Sequence, residues 1–243
     1  MNLCIDQGNS RTKVALFKDG VIVKNLMYRS FTSVEVERLF SLYSIQNSIV
    51  SSVANMEPSA INALNRKSEH FVLFDHLTPL PIKNCYQTPE TLGHDRIAAA
   101  VGAAHLCPNS NLLIVDAGSA VTYDFVSAEQ GYMGGNIAPG IKMRLTALNQ
   151  MTKRLPKVEV EPDTLTPLFG KNTNEAIAAG VVRGLVFEVK GYMRQLKDQK
   201  IPFKTFVTGG HAPYIINTLR KDVIGEPHLV LIGLNRILSG LEF

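Results

Sequence analysis

The apolar positions of this chain recur with two different periods. Short apolar runs of strand length lie at 3–5, 14–17, 48–53, 70–74, 113–115 and 203–207, and residues 20–28 continue the strand pattern. Helical spacing occupies 33–44, where Val34, Val36, Leu39, Phe40 and Tyr43 share a face, and 58–67, which opens on Pro58. Glu175–Lys197 predicts a long helix striped by Ile177, Val181, Leu185, Val189, Tyr192 and Leu196. Ile97–Leu106 predicts a helix of small residues, among them Ala98, Ala99, Ala100 and Gly102, suited to close packing. A further helix carrying Leu145, Leu148, Met151 and Leu155 is expected to run to Pro156, and Leu229–Leu241 reads as a final strand and helix. Strands alternating with helices predict the α/β class.

An internal repeat organises these elements. Leu3-Cys4-Ile5-Asp6-Gln7-Gly8-Asn9-Ser10-Arg11-Thr12 and, 110 positions on, Leu113-Ile114-Val115-Asp116-Ala117-Gly118-Ser119-Ala120-Val121-Thr122 follow one scheme. Each is an apolar run, then Asp, Gly two residues later, a small polar residue, and Thr six after the Asp. The scheme predicts a β-hairpin whose turn carries Asp and Gly. Glycine lets backbone N–H groups approach an anion, whereas Asp belongs beside a phosphate only when a cation sits between them. A single such turn is ordinary; two with matched flanks point to a nucleotide polyphosphate and its metal. The loop-forming stretch Cys107–Asn111 separates the copies, so domains are expected at 1–110 and 111–243.

Composition narrows the class without choosing a function. The 243 residues are 45% hydrophobic and 19% charged, enough for a core without disulfides or a structural metal. A net charge of +4 permits an anionic small-molecule ligand, but no block of Lys or Arg marks a nucleic-acid surface, and no nucleic-acid partner is expected. No apolar run reaches the length of a membrane span, and the N-terminus lacks the apolar core of a signal peptide. Cys4, Cys85 and Cys107 are odd in number and scattered, which disfavours both a disulfide framework and a zinc site and favours reduced thiols in a cytoplasmic protein. P-loop, Rossmann, GxSxG and HExxH signatures are absent.

Asp95 and Arg96 fall at the start of the small-residue helix. Asp95 reads either as a helix N-cap or as a carboxylate poised to accept a proton, beside an Arg able to grip a carboxylate or phosphate. His94 has no visible partner. Gly134-Gly135 and Pro139-Gly140 read as turns, structural or facing a ligand. Gly180, Gly184 and Gly191 beside the long helix suggest close helix contact, core packing or a dimer face. Thr208-Gly209-Gly210 closes a strand where a ring or phosphate could approach the backbone.

Taken in order, Asp6–Lys13, Tyr86, Leu92–Arg96, Asp116–Thr122, Gly134–Gly140, Thr173 and Thr208–Gly210 resemble type III pantothenate kinase, of the acetate and sugar kinase, heat-shock protein and actin superfamily. The resemblance implies two ribonuclease-H-like (actin-like ATPase) α/β domains related by internal duplication. It implies ATP-dependent phosphorylation of pantothenate, the first step of coenzyme A synthesis, by a homodimer that uses Mg2+ and a monovalent cation, K+ or NH4+. Asp6, Gln7, Gly8, Asn9, Ser10, Arg11, Thr12, Lys13 and Ser119 would then meet ATP, with Asp6 positioning magnesium. Tyr86, Gly93, His94, Asp95, Arg96 and Thr173 would line the pantothenate site, Asp95 as proton acceptor, and Asp116 would bind the monovalent cation. Ser10 and Ser119 stand where the family pattern usually has Thr; either hydroxyl makes the same hydrogen bond. Another hydroxy-acid or sugar kinase of the superfamily, or an inactive nucleotide-binding regulator, are the alternatives.

Overall fold

The computed structural model describes residues 1–8, 11–52, 56–161 and 166–241. They form two compact units: Met1–Pro108 with Gln130–Met133 and His228–Phe243, and Asn109–Glu129 with Gly134–Pro227. The chain passes to the second unit after Pro108 and returns to the first at Gln130–Met133 and again from His228.

The first unit holds a five-stranded sheet. Strands β1 (Asn2–Gln7), β2 (Thr12–Lys18), β3 (Val21–Tyr28), β4 (Asn47–Ser52) and β5 (His70–Leu73) lie in the order β3-β2-β1-β4-β5. β1, β2 and β3 form an antiparallel meander, and β4 and β5 run parallel to β1. Alternation sends Leu3, Ile5, Val14 and Leu16 to one face, packed against α1 (Ser33–Leu42) and α2 (Pro58–Lys67) through Val36, Leu39, Ala60 and Leu64. Local chemistry starts both helices. Thr32 and Glu35 form a reciprocal capping box on α1, and Pro58 occupies the first turn of α2. α3 (His94–Leu106) crosses α7 (Leu229–Leu238), which packs on β1 and β4. The small residues permit this crossing: a Cβ on Gly233 would lie 1.8 Å from the Ala98 carbonyl oxygen, and one on Gly102 would lie 2.3 Å from that of Leu229. Leu229–Leu238 is a single helix followed by a turn, so the strand expected there is absent among the described residues.

The second unit repeats the plan. β6 (Leu112–Ala117), β7 (Ala120–Ser127), β8 (Gly131–Pro139), β9 (Lys204–Thr208) and β10 (Ile224–Gly225) are ordered β10-β9-β6-β7-β8, the first sheet's order with each strand replaced by its counterpart. Leu113, Val115, Val121 and Val207 face a core completed by α4 (Ile141–Gln150), α5 (Thr173–Asp198) and α6 (Ala212–Leu219). Ile177, Val181, Leu185 and Val189 of the predicted stripe are buried there.

Several expectations are corrected. Gly134 and Gly135 lie inside β8 rather than in a turn, because a Cβ on Gly135 would sit 2.2 Å from the Tyr123 carbonyl oxygen and only glycine fits. α4 stops at Gln150, short of Pro156: the Thr152 hydroxyl donates to the Leu148 carbonyl and Asn149 donates to that of Leu155, replacing the bonds a longer helix would make. α5 starts at Thr173, capped by Asn172, two residues earlier than predicted. Gly180 and Gly191 face open space, so they serve no close helix contact within the described chain.

Candidate active site

In the first unit the hairpin predicted from the repeat is formed, and Asp6 pairs across it with Lys13. Asp6 is 7% exposed, and its carboxylate lies 4.0 Å from the Lys13 ammonium. Burial pushes its carboxyl up to about 6; Lys13 draws it down, and the Asp95 charge adds to the rise. The fold has therefore brought together two carboxylates separated by 89 positions in the sequence. Ser52 donates to the Gln7 side chain, and the Gly8 amide donates to the Arg11 carbonyl. Among the described residues, a Cβ on Gly8 would meet only that carbonyl, at 3.5 Å. Arg11 is exposed and reaches the Met27 sulfur, while Thr12 is buried. Asn9 and Ser10 lie outside the described residues.

α3 presents the second cluster. Gly93 is its N-cap, which removes Asp95 from that role; Asp95 sits in the first turn, its Oδ1 accepting from the Arg96 amide at 2.8 Å. A Cβ on Gly93 would be 2.6 Å from that oxygen, so glycine lets the carboxylate fold back over the helix start, where negative charge is favoured. Arg96 is buried, with its guanidinium 5.8 Å from the centre of the Tyr86 ring. Tyr86 in turn lies 6.2 Å from Tyr132, and His94 packs on Phe74 at 5.3 Å. Tyr132, fully buried, was not singled out from the sequence; an isolated Tyr in a glycine-rich run carries no signal of its destination.

The second unit holds the other hairpin, with one difference. Asp6 is opposite Lys13, but Asp116 is opposite Thr122, because the second turn is one residue shorter. Thr12 and Thr122, equivalent by spacing, are therefore not equivalent in register. The Thr208–Gly210 loop closes on this hairpin. Gly209 adopts φ +92°, and a Cβ there would lie 2.4 Å from Asp116 Oδ1. The His211 amide donates to the Ala117 carbonyl, and its ring Nδ1 lies 3.2 Å from the Gly118 carbonyl. Ser119 is exposed at the tip, its carbonyl held by the Gly140 amide.

Thr173 opens α5 on the rim of a groove of about 680 Å³ lined also by Arg144, Lys171, Ile177 and Val181. Beside it lies an ion-pair cluster that the sequence did not signal. Arg144 makes two bonds to Glu188, at 2.6 and 2.7 Å, and the Tyr123 hydroxyl donates to the same carboxylate at 2.6 Å. Burial raises the Tyr123 phenol well above its usual range, and the Glu188 bond adds to this.

The strand order and the doubled hairpin define a class first. A ROK family glucokinase from Streptomyces griseus, solved with glucose and AMPPNP, shares this fold with TM-score 0.55 at 10% identity, over 98% of this chain and 99% of that chain. The two mixed five-stranded sheets are those of the actin-like ATPase fold, as in sugar kinases. The family follows from sequence. The type III pantothenate kinase model matches residues 2–195. The type III pantothenate kinase of Phocaeicola vulgatus is 41% identical over 239 residues, 98% of each chain. That of Bacteroides fragilis is 41% identical over 240 residues, again 98% of each. The chain belongs to the type III pantothenate kinase family.

Proposed function

We propose that this chain transfers the terminal phosphoryl group of ATP to the hydroxyl of pantothenate, giving 4'-phosphopantothenate, and that Asp95 accepts the hydroxyl proton. The observation that carries the reading is in the first unit: Asp6 is buried and feels the charge of Asp95, and Asp95 is tied at the start of α3 to the amide of a buried Arg96. Phosphoryl transfer passes through a loose transition state, so the protein chiefly positions groups and balances charge. Asp95 is tethered by one oxygen to the helix start and orients the attacking hydroxyl. Arg96, its guanidinium 5.8 Å from the centre of the Tyr86 ring, meets the pantothenate carboxylate, with Gly93 and His94 beside it in the first unit; Thr173, of the second unit, is read as a further pantothenate contact. Gln7, Gly8, Arg11, Thr12, Lys13 and Ser119 meet ATP, as do Asn9 and Ser10.

The residues fit the ions the reaction needs. Asp6 is a buried carboxylate within reach of the charge of Asp95, with the Lys13 ammonium 4.0 Å away, and a divalent cation would neutralise it. Among the described residues no cluster of three or more acidic, His or Cys side chains could hold a metal. Mg2+ commonly takes one or two carboxylates and completes its shell with water and substrate phosphates. Asp6 would hold it, and its charge would offset that developing on the phosphates. Asp116 lies in a cradle that a Cβ on Gly209 would fill, and would hold K+ or NH4+ with help from backbone oxygens. A homodimer is supported by the outer stripe of α5, where Gly180 and Gly191 are open and Phe187 is 52% exposed. Among the described residues no helix is long and apolar enough to cross a membrane, in keeping with a cytoplasmic enzyme.

The test is ADP release from Mg-ATP with pantothenate, in K+, in NH4+ and in Na+. Pantothenate-dependent ADP in K+ or NH4+ is the expected result. Its absence in both, with ADP appearing on a sugar or another hydroxy acid, would replace the proposed acceptor.

A further inference from the structure

The Arg144–Glu188–Tyr123 cluster is assigned no part in the chemistry above, yet its bonds lead to the nucleotide turn of the second unit. Arg144 lies in the first turn of α4. It makes two contacts to Glu188 of α5 and donates its Nε–H backwards to the Pro139 carbonyl at 2.6 Å. Three of its five donors are thus committed, in the rigid fork that Arg alone provides. Pro139 ends β8, and Gly140 follows as the N-cap of α4. The Gly140 amide donates to the Ser119 carbonyl at 3.2 Å. Contact there leaves no slack: a Cβ on Gly140 would lie 2.3 Å from the Ser119 carbonyl oxygen and 2.6 Å from that of Gly118. Any movement of the Pro139–Gly140 junction must move the Gly118–Ser119 turn.

Glu188 is suited to anchoring the chain of contacts. Burial would raise its carboxyl, but bonds from Arg144 and Tyr123 outweigh this and hold it below the usual carboxylate range. The Tyr123 ring is itself fixed, stacked on Tyr192 with centroids 4.4 Å apart, and the Tyr192 hydroxyl accepts from Asn136 of β8. The cluster therefore ties α5, α4, β7 and β8 together at the point where β8 delivers Gly140 to the turn. An ion pair needed only to join α4 to α5 would have no use for the third bond to Pro139.

We propose that Arg144 and Glu188 are positioning residues for ATP: they set the Gly118–Ser119 turn by holding the Pro139–Gly140 junction. This rests on the reading of Ser119 as an ATP contact and on no claim about the acceptor. Arg144→Met, Arg144→Lys, Glu188→Gln and Tyr123→Phe are compared by calorimetric binding of Mg-AMPPNP without pantothenate, by KM for ATP and for pantothenate, and by melting temperature. Arg144→Met is expected to weaken AMPPNP binding and raise KM for ATP by about three- to tenfold, within the range of couplings relayed through packed contacts, with KM for pantothenate changed less than about twofold. Arg144→Lys keeps the charge but not the fork and should restore only part of the loss. Arg144→Met combined with Glu188→Gln should be no worse than Arg144→Met alone. Lower melting temperatures with AMPPNP affinity unchanged in the soluble variants would overturn the proposal, as would equal rises in both KM values. Should Arg144→Met not fold, Glu188→Gln and Arg144→Lys decide by the same criterion. Failure of the wild-type chain to phosphorylate pantothenate would leave the AMPPNP comparison intact, so the two readings fail separately.

Discussion

At the scale of single residues, the two carboxylates of the first unit should respond differently to neutralisation. Asp95→Asn keeps the shape but cannot accept a proton, and turnover should fall by about 10²- to 10⁴-fold, the usual worth of a positioned acid or base. Binding of AMPPNP should remain, and near-normal turnover would remove Asp95 from the mechanism. Asp6 bears on stability as well. Its carboxyl stands at about 6 in the folded chain against an ordinary 3.8. A carboxyl raised on folding contributes stability fully present below the unfolded value and lost as pH rises through the folded one. In the absence of nucleotide and metal, Asp6→Asn should therefore raise the melting temperature at pH 7.5, by several degrees for a gain of about 2–3 kcal/mol, and confer little advantage at pH 4. The same variant should lose kinase activity. Equal melting temperatures at pH 7.5 would show that the buried charge is compensated within the chain.

At the scale of elements, the crossing of α3 and α7 carries the sharpest steric demand. Gly233→Ala would place a methyl 1.8 Å from a backbone oxygen of α3, where no side-chain rotation can relieve it. The helices must part, and the variant should be destabilised by roughly 1–3 kcal/mol or more, as in other overpacked cores, measured by urea unfolding. Gly180→Ala, in open space on α5, is the matched control and should be neutral or slightly stabilising through helix propensity. Each glycine sits inside a helix, Gly233 among large aliphatics and Gly180 after small residues, and neither setting tells from sequence alone which glycine meets a neighbouring backbone. That marks the limit of local reading. Most strands, the hairpins, α1, α2 and the long α5 were legible because periodicity and helix starts are local properties: the apolar spacing of 33–44, Pro58 and the Ile177–Val189 stripe are each readable within a few turns. The end of α4 and the strand character of Gly134-Gly135 were not, because they depend on Thr152 and Asn149 turning the chain back on itself and on the nearness of Tyr123.

At the scale of the whole molecule, the outer stripe of α5 gives the oligomer prediction. Phe187→Glu places a charge between Gly184 and Gly191, and should convert a homodimer to monomer in sedimentation at micromolar concentration; a wild-type chain that is already monomeric would withdraw the proposed dimer. Sequence by itself determined the duplication, since two matched Asp-x-Gly hairpins 110 residues apart are a property of residue order. It also determined the family, since 41% identity across nearly the full length needs no coordinates. Only the tertiary structure decided which residues share an environment. It brought Asp6 within reach of the charge of Asp95, fitted Gly209 over Asp116, drew Arg144, Glu188 and Tyr123 into one cluster, and returned the C-terminal helix to the first unit. The physical reason is range: propensity and patterning act over a few residues, whereas burial, charge and close packing couple residues that the chain order keeps far apart.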